Sequence, residues 1–206
     1  MREHYRKYPS HDNRCQNDGE ESYIISDFRR RKIFIRGEIS FETSIRFAVE
    51  FDKMCSSNEP FTIDISSPGG DVISSLDIYN KIRTARCLVN TLTFGIVASG
   101  ALLIFVSGDR RFISERAIAR FHWPIAYRDN EEISPDSTKS DVDYFNGIFK
   151  QWSTIIAART GLTSQAVQKY MRYSRMFVGK QVLQMGIATL ILNDKNFDKK
   201  FKKGNK

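Results

Sequence analysis

Short apolar runs and stretches of helical period alternate along most of the chain. Tyr23 to Ile25 reads as a short strand, and KIFIRG (Lys32 to Gly37) alternates apolar and polar positions as a second. Ser40 is placed to cap a helix, with Glu42 in its first turn. Along that helix Phe41, Ile45 and Ala48 make one stripe, and Phe47, Phe51 and Met54 another. Apolar positions on so much of its surface predict burial on more than one side. Phe61 to Ile65 is a β-branched strand that ends at Ser66, Ser67, Pro68, Gly69 and Gly70. Pro68 has no N–H for a ladder, and a glycine pair lets the backbone turn and approach a ligand closely. Val72, Leu76, Tyr79 and Ile82 then recur at helical spacing. Leu88 to Thr93 is a further strand leading into Gly95. Ser99 follows at the mouth of an apolar helix, Gly100 to Val106. The alternation continues to His122, which predicts βαβ units and a mostly parallel sheet.

The rest of the chain is less regular. Ala117, Ile118, Ala119 and Phe121 form an apolar run, so His122 ends a core strand just before Trp123 and Pro124. Residues 125–140 turn polar and read as a long exposed excursion. Val142, Phe145, Phe149, Trp152 and Ile156 repeat at three and four residues, a helical seam. Its spacing fits packing on its own domain and on another subunit equally. Thr163 to Arg172 makes a short helix, and Met176 to Val178 with Lys180 to Met185 close the domain. This divides the chain into a polar, flexible segment 1–22, a folded domain 23–192 and a basic tail 193–206.

Composition narrows the class. The chain has 206 residues, 41% of them hydrophobic, room for one domain with a full-sized core. No run of eighteen apolar residues occurs, so no transmembrane helix is expected, and the N-terminal stretch lacks the apolar core of a secretory signal. The formal net charge of +8 is concentrated in runs at Arg29–Lys32 and Lys199–Lys206. Without an RNA-binding aromatic signature or zinc spacing, these read as solvated ends rather than a nucleic-acid surface. Cys15, Cys55 and Cys87 are an odd count without metal-ligand spacing. The expectation is reduced thiols in a cytosol-like compartment, with no metal and no cofactor.

The candidate chemistry centres on Ser99. A serine at a strand-to-helix turn presents its hydroxyl to a cleft while nearby backbone N–H groups stay unpaired. Those groups, with the N–H groups of the Gly69–Gly70 turn, are suited to hold an oxyanion. A serine nucleophile needs a base. His4 and His11 lie in the polar N-terminal segment, which leaves His122.

SSPGGDV, GIVASGA, FHWP and MFVGKQVLQMGIA, in that order between about Lys32 and Ile191, resemble the proteolytic subunit of the Clp protease. The resemblance implies an α/β, crotonase/ClpP-like fold: ββα units, a mostly parallel sheet and a protruding helical handle. It implies a cytoplasmic serine endopeptidase that cuts unfolded polypeptides inside a heptameric ring, as a homo- or hetero-oligomer. Ser99 matches the nucleophile, His122 the base, and Gly70 and Gly100 the residues whose N–H groups form the oxyanion hole. No GxxxxGK[ST] motif is present, so a separate AAA+ unfoldase ATPase would supply any energy for unfolding. Two departures stand out. The triad Asp is missing, because Ser174, Arg175, Met176 and Phe177 put Arg175 at its position, and Thr163 to Leu192 contains no carboxylate. The segment before the handle helix is also longer than the family's and lacks its glycines, which bears on ring-to-ring docking. Three readings follow. One is an active peptidase using a Ser–His dyad or a carboxylate from elsewhere, such as Asp141 or Asp143. Another is a non-catalytic subunit of a mixed ring. The third, acyl-thioester chemistry on the same architecture, needs neither Ser99 with His122 nor finds a readable coenzyme A pocket.

Overall fold

A computed structural model describes residues 23–123 and 135–193. The N-terminal segment, the basic tail, Cys15 and most of the polar excursion lie outside these. The main sheet has six strands. β1 (Tyr23–Asp27) runs antiparallel to β2 (Lys32–Arg36), with Ile24 opposite Ile35. β3 (Phe61–Ser66), β4 (Val89–Thr93), β6 (Arg110–Ser114) and β9 (Leu190–Leu192) extend it in parallel, in the order β1-β2-β3-β4-β6-β9. A second sheet of three short strands, β5 (Ile96–Ala98), β7 (Ile118–Arg120) and β8 (Met176–Val178), pairs β5 parallel and β8 antiparallel to β7. The expected mostly parallel α/β architecture is therefore present. Ile33, Ile35, Ile63, Ile65 and Val89 are fully buried in the main sheet. Asp64, on the buried strand β3, is met by the Arg36 guanidinium at 2.8 Å.

α1 (Phe41–Cys55) begins at a capping box in which the Ser40 side chain and Thr43 bond each other's backbone N–H. Only one of its two stripes is buried. Phe47, Phe51 and Met54 enter the core, with Phe51 edge-on to Phe61 at 5.3 Å. Phe41, Ile45 and Val49 stay exposed at 74%, 49% and 50%, so the expected burial on a second side is not met among the described residues. α1 packs on α2 and the sheet, and no other element among the described residues covers its outer face.

α2 (Val72–Arg83) is capped by Asp71, which accepts the Ser74 N–H at 2.7 Å. α3 (Gly100–Ser107) is buried along its whole length. Arginines satisfy the carbonyls at its C-terminal end: Arg159 donates to Val106 and Gly108, and Arg83 to Ser107. Arg111 donates to Gly108, Gly186 and Ile187. Burial first, then the neighbouring cations, push the Arg111 and Arg159 pKa values below the ordinary arginine range.

α4 (Pro135–Arg159) begins inside the stretch read as an excursion, so that reading is corrected from Pro135 onward. The helical period runs back beyond its last clear apolar position. The seam on α4 divides. Phe149, Trp152 and Ile156 are buried against their own domain, while Val142 is exposed. α5 (Ser164–Arg172), capped by Thr163, packs beside α4, and α6 (Gly179–Gln184) precedes β9.

The thiol expectation is overturned for two cysteines. Cys55 and Cys87 form a disulfide across 32 residues of sequence. Cys55 ends α1 and Cys87 stands just before β4, and the packing of α1 brings their Cα atoms to 6.1 Å, within bonding range. Sequence spacing holds no trace of that proximity.

Candidate active site

Ser99 joins β5 to α3 in a backbone conformation that side chains rarely adopt, φ 50° and ψ −123°. Such a turn persists only where the surroundings fix it. Its N–H donates to the Arg120 carbonyl at 3.1 Å, extending the β5–β7 pairing by one residue. Its carbonyl accepts the Leu102 N–H at 3.0 Å and so starts the helix. The hydroxyl makes no cap bond and is left to face the cleft.

The glycine turn after β3 is seated against this serine. Gly69 has φ +101°, and a Cβ there would stand 2.7 Å from the Ser99 Cβ and 3.0 Å from the Gly100 nitrogen. Only a residue without a side chain permits that approach. Gly70 has φ +152° and is held on both sides by Ile39. The Ile39 N–H donates to the Gly69 carbonyl at 2.8 Å, and the Asp71 N–H donates to the Ile39 carbonyl at 2.7 Å. The Ser67 hydroxyl accepts the Gly69 N–H at 3.1 Å. Among the described residues, neither the Gly70 N–H nor the Gly100 N–H has an acceptor. Two unpaired donors beside a half-buried hydroxyl suit an oxygen that gains negative charge.

His122 lies between two anchored aromatics. Phe121 is buried, and its N–H donates to the Arg175 carbonyl at 2.9 Å. Trp123 stacks on Phe149 with ring centroids 4.1 Å apart. Burial, and secondarily the positive charge of Arg120, lower the His122 pKa below the ordinary histidine value. The imidazole is thus held towards its neutral, proton-accepting form.

A cleft of about 630 Å³ is lined by Ile39, Phe41, Gly70, Val72, Ser99 and His122. Glu38 and Asp71 also border it. A second, narrow recess shares Ser99 and His122 and is also lined by Arg120, Trp152 and Met171. The structure therefore brings Ser99, His122 and Gly70 to one cavity and places Gly100 at its edge through Gly69. It does not bring in Arg175. The Arg175 backbone lies beside the residue before His122, where a triad carboxylate could be carried, but its side chain is exposed and borders neither cavity. Asp141 and Asp143 border neither cavity as well. Among the described residues no carboxylate pairs with His122, and no group of side chains is arranged to hold a metal.

Two neighbours escaped the sequence reading. Ser75 is fully buried, donates to the Asp71 carbonyl at 2.7 Å, and occupies the space where a side chain at Gly100 would lie. No local pattern marks it. Arg120 had a signal, since residues two apart in extended chain share a face and Arg120 precedes His122 by two.

Comparison with known proteins agrees with this architecture. The family model for Clp protease matches residues 17–195. The chain is 26% identical over 172 residues to the ATP-dependent Clp protease proteolytic subunit of Pleurastrum terricola, spanning 82% of this chain and 86% of that protein. It is 28% identical over 155 residues to the ATP-dependent Clp protease proteolytic subunit 2 of Borreliella burgdorferi, covering 68% and 72%. Its fold superposes on a ClpP1 mutant from Listeria monocytogenes with a TM-score of 0.72 at 21% identity, covering 82% of this chain and 95% of that one.

Proposed function

Since the chain belongs to the Clp protease family, we propose that it is a serine endopeptidase subunit that hydrolyses peptide bonds of unfolded polypeptides inside an oligomeric ring. Ser99 is the nucleophile and His122 the base. The observation that carries this reading is the strained Ser99 turn, seated on Gly69 and opening on the same cleft as His122.

The geometry supports the following course. Neutral His122 takes the Ser99 proton as the hydroxyl oxygen attacks the substrate carbonyl. The oxyanion that forms receives the Gly70 and Gly100 N–H groups. His122 then protonates the leaving amine, and water hydrolyses the acyl-serine by the same steps with water as nucleophile. The imidazolium in this sequence has no carboxylate partner among the described residues. In a serine protease with a complete triad, replacing the Asp by Asn costs roughly 10⁴ in turnover. The expected activity is therefore weak. Because Arg175 turns to solvent, the dyad is unassisted rather than opposed by it.

The test is labelling of Ser99 by a fluorophosphonate, with Ser99→Ala as control, alongside hydrolysis of short fluorogenic peptides. Both should be slow in the natural chain and faster in Arg175→Asp, which returns a carboxylate to the position beside His122. A natural chain that is already fast and indifferent to Arg175→Asp would place the third member elsewhere. If neither protein labels Ser99, the chain is a non-catalytic subunit of a mixed ring, the reading that the missing carboxylate favours. We further propose a heptameric ring and a separate unfoldase ATPase.

A further inference from the structure

The region around His122 is one-sided in charge. From Thr163 to Leu192 the chain carries Lys169, Arg172, Arg175 and Lys180 and no acid. Lys180 meets Glu115 at 3.5 Å. The Arg172 guanidinium lies 5.9 Å from the Trp123 ring, next to His122. Arg120 is nearest to the chemistry. Its carbonyl holds the Ser99 N–H, its exposed side chain borders the recess shared with Ser99 and His122, and no carboxylate pairs with it among the described residues. The larger cleft, which shares Ser99 and His122 with that recess but not Arg120, has the opposite character. Asp71 is spent there on capping α2, whereas Glu38 is exposed at the cleft margin with no cationic partner among the described residues.

We propose that Arg120 is a specificity-determining residue that selects polypeptide segments carrying an acidic side chain on its own side of the bond to be cut. The inference rests on the peptidase reading above and adds the substrate class. An extended chain lying across Ser99 passes Arg120 on one side and Glu38 on the other. An Asp or Glu on the first side gains an ion pair, and the same residue on the second meets a like charge. The preference is therefore directional. Simple attraction of acidic peptides to a basic protein has no such direction.

Three fluorogenic peptides of one sequence test it, with Glu on one side of the cut bond, Glu on the other, or Gln on both. One Glu peptide should show a KM about two- to five-fold below that of the Gln peptide, the scale of a solvent-exposed ion pair. The other should not. Arg120→Gln should abolish that ratio and move the acid limb of the pH profile upward, because the cation beside His122 is gone. A merely structural role for Arg120 would leave the ratio intact. Equal KM for all three peptides, while Ser99 still labels, overturns the inference and leaves the peptidase reading standing. If no Ser99 labelling occurs, binding of fluorescein-tagged versions by anisotropy decides. An Arg120-dependent preference for one Glu peptide then keeps the recognition and removes the hydrolysis. Its absence removes both.

Discussion

At the residue scale the site depends on two backbone positions and one proton. Gly70 is fixed by Ile39 on both sides, and a Cβ there runs into the Ile39 carbonyl oxygen. Gly70→Ala should cost about 1–3 kcal/mol through local strain and lose Ser99 labelling. Thermal unfolding and fluorophosphonate labelling of the same preparation check this, and a stable, fully reactive variant would make the turn dispensable. His122 gives a pH prediction. Its pKa is lowered, by burial first and Arg120 second, from the ordinary value of 6.5. A base works when neutral, so the acid limb of kcat/KM should fall below that value. The sign for stability is the same. Folded His122 resists protonation, so its contribution is full above the ordinary value and is lost as pH falls through the folded one. A kcat/KM profile with its acid limb above the ordinary histidine value would contradict the burial argument.

At the element scale, legibility followed periodicity. α1 stood out by its Ser40 cap and apolar spacing, α2 by its spacing and α3 by its unbroken apolar run, and Ser99 and the glycine pair sat at the breaks between elements. β5 and β8 did not stand out. Each has three residues, too few for an alternation to register, and exists because β7 lies beside it. The lengthened α4 start was hidden because its first turns carry no apolar period. Pairwise facts such as Arg120 under Ser99, or Ser75 against Gly100, come from packing and have no sequence period. α4 and α1 give contrasting tests. Trp152 is 1% exposed between α4 and α3, so Trp152→Ala should cost about 3–5 kcal/mol in denaturant unfolding. Ile45 lies on the uncovered face of α1. Ile45→Arg should leave the monomer's stability nearly unchanged and lower the assembled mass in light scattering if that face is a ring contact. An unchanged mass would locate the contact elsewhere.

At the scale of the whole molecule, the Cys55–Cys87 bond ties the outer helix to the central sheet. The closed loop spans 32 residues, and its constraint on the unfolded chain is worth about 3–4 kcal/mol in the chain-entropy model. Reduction should lower Tm by several degrees, and Cys55→Ser should match the reduced protein. An unchanged Tm would mean that the bond adds nothing to the packed sheet.

The same bond makes residues 55–87 a covalent macrocycle, and the Gly69–Gly70 turn lies on its circumference. One cut inside the macrocycle opens it without releasing a fragment. Arg86 is exposed within it and offers trypsin such a site. A chain nicked there would travel as a single species on a non-reducing gel and fall into two pieces once thiol is added. Wear in this part of the molecule would stay invisible to any size separation made before reduction, and intact mass would betray it only by the added water.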